Sequence, residues 1–74
     1  MNDTTGFDQR QEAKELFPLR TRVRVLATGQ LGSVVGHEGD YSKNHAPLIV
    51  GLDDPQPGKP PHINCWATEV EHVL

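Results

Sequence analysis

The segment His62-Ile63-Asn64-Cys65 sets an imidazole and the chain's single thiol three residues apart. With His37 or His45 they offer nitrogen and sulfur donors of the kind zinc takes. A structural zinc needs four ligands in tetrahedral array. On a strand, residues three apart face opposite sides, so one strand cannot offer both His62 and Cys65 to the same ion. The same thiol could serve as a nucleophile with a histidine base and an orienting carboxylate from Asp40, Asp53 or Asp54. Adjacent Asp53 and Asp54 point apart on a strand, and before Pro55 they read as the start of a loop. Cys65 reads instead as a small buried hydrophobe. No catalytic residue, metal or cofactor is therefore expected.

The stretch TGQLGSVVGHEGD, residues 28–40, holds four of the seven glycines. It is not a phosphate-binding loop. GQLGSVVG lacks the lysine of G-x-x-x-x-G-K-[ST], and no helix of any length follows. The glycines read as a folding device. Gly29 supplies a turn after a strand, Gly32 tolerates close backbone approach, and Gly36 or Gly39 marks a bulge or a strand end.

Binding chemistry is better represented. Trp66 and Tyr41 are the only aromatic side chains with a polar tip, and tryptophan is enriched at interface hot spots. Arg20, Arg22 and Arg24 share one face of a strand and could meet an anionic surface. The chain as a whole is acidic, with seven Lys and Arg against ten Asp and Glu and a net charge of −3. Nucleic-acid binders show a basic excess or patch, and three arginines contribute little against salt. Nucleic acid is thus not the expected partner; a protein, or a second copy of the chain, is.

These residues must be positioned by few elements. A chain of 74 residues is one domain and buries only about 60% of its unfolded surface. Cys65 has no second cysteine to pair with, which argues against secretion. The N-terminal MNDTTGFDQRQ has no apolar run of a signal peptide, and no segment approaches the ~20 apolar residues of a spanning helix. A cytoplasmic, non-membrane protein is expected.

Residues 1–18 read as a flexible tail or short helix, with Asp8 as cap, Phe7, Leu16 and Phe17 as anchors, and Pro18 as the stop. In LRTRVRVLA, Val23 and Val25 alternate with the arginines, the period of a half-buried strand. SVVGH, LIVGL and HINCW give three more strands, and DDPQPGKPP a loop. Ala67–Val70 reads as a single 3₁₀ turn and Glu71–Leu74 as a last strand. The expected core is Val23, Val25, Val34, Ile49, Leu52, Ile63, Val70 and Val73. Whether Val34 or Val35 points inward stays open, since a one-residue slip exchanges them. Five short strands suggest a small closed barrel, which hides its edges.

VRVLATGQLGSVVGH, with Val23, Val25, Gly29, Gly32, Val34 and Val35, resembles the first hairpin of SH3-like barrels, especially the KOW-type variant. WATEVEHV resembles their closing 3₁₀ turn and last strand. The resemblance covers residues 19–74 and implies a five-stranded SH3-like barrel. Families of this shape include KOW domains that bind RNA or protein, a small-subunit family of photosystem I, the beta chain of nitrile hydratase and the type II dihydrofolate reductases. The reductases read their ligands with a Val-Gln-Ile-Tyr segment. Here His62, Ile63, Asn64 and Cys65 stand in its place, so no catalytic role carries over. A shared fold does not bring the activity with it.

The expectation is an all-β barrel acting as a non-catalytic binding or assembly module, with Trp66, Tyr41, Arg20, Arg22 and Arg24 as candidate contact residues. The alternatives are a small oligomeric enzyme with a site on a symmetry axis, and an RNA-binding KOW-like domain.

Overall fold

The computed structural model describes residues 11–38 and 45–74. Residues 11–16 are helical, and five strands follow: β1 (Arg22–Val25), β2 (Leu31–His37), β3 (Leu48–Leu52), β4 (His62–Cys65) and β5 (Val70–His72). A 3₁₀ turn, Ala67–Glu69, joins β4 to β5. All pairings are antiparallel, in the order β4-β3-β2-β1-β5.

Alternation decides the faces. Val23, Val25, Val34, Leu48, Val50, Cys65 and Val70 are buried on one face, with Ala13 and Phe17 of the N-terminal segment completing the core. Arg22, Arg24 and Val35 stand on the other. The choice between Val34 and Val35 resolves sharply, at 1% and 59% exposure. The register of β2 against β3 shifts between Val34 and Gly36, which leaves Val35 as the bulged residue, next to one of the two glycines expected to mark a bulge or a strand end. The shift also explains one misplaced core residue. Ile49 pairs with Gly36 and is only half-buried, while Leu48 and Val50 take the inward positions. Val73 likewise stays half-buried beyond the end of β5.

Two glycines fix the β1–β2 hairpin. Gly29 has φ +78°, a conformation costly for other residues, and its N–H donates to the Val25 carbonyl at 2.7 Å. Gly32 faces the core against β3. A Cβ there would lie 2.5 Å from the Gly51 carbonyl oxygen and 2.9 Å from Val50 Cγ1. No side chain fits between the two strands at that point.

Residues 11–17 dock on the sheet, while Phe7 and Asp8, expected as an anchor and a cap, lie outside the described residues. Phe17 is buried and stacks on the His72 ring, with centroids 4.4 Å apart. His72 Nε2 lies 2.6 Å from the Leu16 carbonyl, and His37 Nε2 lies 2.8 Å from that of Phe17. A carbonyl only accepts, so each Nε2 carries the proton. Two imidazoles thus satisfy carbonyls left over at a helix end.

The closed barrel does not form. β1 is paired on both sides, while β4 and β5 pair on one side each and remain edges of an open sheet. The physical reason lies just after β4. The Trp66 N–H donates to Glu69 Oε1 at 2.7 Å, and the Trp66 carbonyl accepts from the Glu69 N–H at 2.9 Å. That turn, which the sequence predicts, delivers β5 to β1; β1 is then paired on both sides and offers β4 no edge to close on. The SH3-like and KOW-type assignments, and the likeness to the reductase and photosystem families, fall with the barrel. The glycine turn and alternating valines behind them belong to any short antiparallel hairpin.

Candidate functional site

The arginine stripe is mostly occupied. Arg22 makes a two-pronged contact with Asp53, with Nη1 2.8 Å from Oδ1 and Nη2 on Oδ2, and Nη1 also donates to Ser33 Oγ at 2.9 Å. This bond holds the Asp53 carboxyl below the usual carboxylate range, against a partial desolvation that raises it. Arg24 pairs with Glu71 at 2.8 Å across β1 and β5. Arg20 is not on the strand. It precedes β1 with φ 76°, and its N–H donates to the Val34 carbonyl at 2.7 Å. With Leu19, Ser33, Val34 and Val35 it lines a shallow cleft of about 310 Å³.

Trp66 is half-buried ahead of the 3₁₀ turn and lines a small pocket of about 80 Å³ with Glu12, Ala67 and Thr68. The structure therefore sets it apart from the arginines, on a different element. Tyr41 lies outside the described residues. His62 is exposed on the outer face, whereas Cys65 is buried on the core face. Burial pushes the Cys65 thiol up to about 11, with the negative charge of Glu69 adding to it. Among the described residues no cluster of three or more His, Cys, Asp or Glu could hold a metal ion. No helix among them is long and apolar enough to cross a membrane.

One feature that sequence reasoning misses is the outer edge of β4, unpartnered among the described residues. The Leu52 N–H donates to the Pro61 carbonyl, and Val50 and Leu48 lie opposite Ile63 and Cys65. Antiparallel alternation then turns the backbone of Ile63 and Cys65 toward β3, and that of His62 and Asn64 outward. No hydrogen bond to those outward groups occurs among the described residues. The Asn64 side chain is engaged elsewhere, donating to the Ala46 carbonyl at 3.0 Å.

Beside this edge runs a groove of about 370 Å³, with Val25, Leu26 and Ala27 on one bank and Ile63, Asn64, Cys65, Thr68 and Glu69 on the other. At Ile63 it meets a second cleft of about 420 Å³, lined by Thr28, Gln30, Leu52, Gln56, Lys59 and Pro60. The linings are mixed: Val25, Leu26, Leu52, Ile63 and Cys65 are apolar, while the first cleft also carries Glu69 and the second Lys59. The sequence signal is the alternation in HINC, which identifies a strand but not which side of it lacks a neighbour. No family model matches the chain, and neither the curated proteins nor the solved structures contain a match to it.

Proposed function

We propose that the chain is a non-catalytic binding or assembly module whose contact surface is the outer edge of β4 with its adjoining groove. One observation carries this reading: among the described residues the outward backbone groups of His62 and Asn64 have no partner, and they lie beside a groove lined in part by Val25, Ile63 and Cys65. An exposed sheet edge takes up an extended segment as a further strand. Main-chain hydrogen bonds supply affinity and neighbouring side-chain pockets supply selectivity. The partner is a protein, in a cytoplasmic setting in keeping with a lone cysteine. Ile63 is the anchor of this surface, because both clefts share it.

Proximity labelling in the native cell, with the wild-type chain and an Ile63→Asp variant shown to be folded, tests the reading. The expected result is a protein neighbour, a second copy of the chain included, labelled by the wild type and lost with the variant. The same neighbours recovered by both would place the contact surface elsewhere.

A further inference from the structure

Natural sheets guard their edges with charged side chains, proline, bulges or very short strands. The β5 edge is guarded: it is three residues long, carries Glu71, and its His72 ring is held by Phe17. The β4 edge is four residues long and contains no Asp, Glu, Lys or Arg. Its outward backbone groups belong to His62 and Asn64, placed symmetrically about Ile63. That arrangement is self-complementary. If a second β4 runs antiparallel with Ile63 opposite Ile63, His62 of each copy faces Asn64 of the other. Each such pair exchanges two N–H to carbonyl bonds, and the four groups of each edge are all satisfied. The two Ile63 side chains then meet on the groove face as a close, non-hydrogen-bonded pair.

Charge agrees with this register. The antiparallel arrangement brings the proline-rich entry to β4 in one copy beside the 3₁₀ turn of the other. Lys59 at the entry thereby approaches Glu69 at the turn, twice per dimer. A chain with net charge −3 meets its twin along a strand that bears no charge of its own.

We infer that the occupant of the β4 edge is a second copy of this chain, joined as a twofold-symmetric dimer through β4–β4 pairing centred on Ile63. The inference rests on the binding reading above and names its partner. An interface that presents the same patch from both copies is the commonest way for soluble chains to pair.

Light scattering across a concentration series tests it. The expected mass is twice 8.2 kDa at high concentration. His62→Pro removes an outward N–H without touching the ladder to β3, as proline on an edge strand permits. It should weaken the dimer by about tenfold or more, since both copies lose a bond. Lys59→Glu should weaken it several-fold and increase the loss at low salt. A cysteine introduced as Ile63→Cys should oxidise to a covalent dimer across the twofold, whereas Leu74→Cys should not. A dimer indifferent to folded His62→Pro, or an Ile63→Cys chain that does not crosslink, would overturn the pairing. A monomer at every concentration would do the same. Where that monomer still labels an Ile63-dependent neighbour, the binding reading stands without this partner; where it labels none, both fall.

Discussion

Cys65 sits on the core face of β4, and its surroundings decide its chemistry. The thiolate is the reactive form, and burial holds the proton on until about pH 11. Alkylation of the folded chain at pH 8 should therefore be slow, and should become rapid in denaturant. Thiol titration with and without urea checks this. The same shift makes the folded state lose stability as pH rises from the ordinary value of 9.0 toward 11, where the unfolded chain ionises and the folded one resists. Asp53 works in the opposite sense. Its folded value is lowered by Arg22, so its contribution is present above the ordinary aspartate range and is lost as pH falls through the depressed value. Asp53→Asn should lower Tm at pH 7, and the difference from wild type should vanish in strong acid. Thermal melts at the two pH values read it directly. Both residues stand out in the sequence, but only their neighbours show which does what. Asp53 reads there as a loop residue, and nothing in DDPQP announces the arginine across the sheet.

At the scale of elements, Gly32 is the tightest point. A methyl group there would press into the Gly51 carbonyl and Val50, so Gly32→Ala should cost about 1–3 kcal/mol or more by overpacking. Gly29→Ala, with open space around it but a positive φ, should cost about 1 kcal/mol. Denaturant midpoints of the two variants rank these causes. The N-terminal segment is held through Phe17. Phe17→Ala should cost about 3–5 kcal/mol, a large share of the ~4–11 kcal/mol available to a chain of this size. The strands themselves are legible in the sequence, because alternation in VRV and the glycine turn act within a few residues. The face of β3 is not. A single bulged residue at Val35 changes the parity between β2 and β3, and LIVGL is apolar throughout, so its pattern cannot report the change.

For the molecule as a whole, composition points to a thin core, and the described residues bury one small cluster around Val23, Val34, Leu48 and Val50. The closed barrel is where sequence and structure part. It rests on the assumption that an unprotected edge must be hidden within the same chain. The 3₁₀ turn read from the sequence is present, but it delivers β5 to β1, which is then paired on both sides and leaves β4 no edge to close on; no local pattern reports that arrangement. The edge left over is the surface that the proposed association would use. If it is filled by a second copy, association stabilises the folded state by mass action. Tm should then rise with protein concentration, as calorimetry over a hundredfold range would show, and His62→Pro should flatten that dependence.

The order β4-β3-β2-β1-β5 also constrains how the chain finds its structure. Strands β1 to β4 are neighbours in sequence as well as in space, whereas β5 pairs with β1 across a long separation, with Arg24 and Glu71 47 residues apart. Contacts between distant residues carry the larger loop-closure penalty and slow folding. The meander β1–β4 is the economical nucleus, and the β1–β5 ladder closes late. Substitutions at Val34 or Val50 should slow refolding, while Val70→Ala should chiefly speed unfolding. Stopped-flow chevrons would separate the two, and an early-forming Val70 would reverse the order. The strand that joins last also carries His72, which holds the Leu16 carbonyl from 56 positions away, so residues 11–17, tied to β2 through His37, gain this second tie only when the final ladder closes.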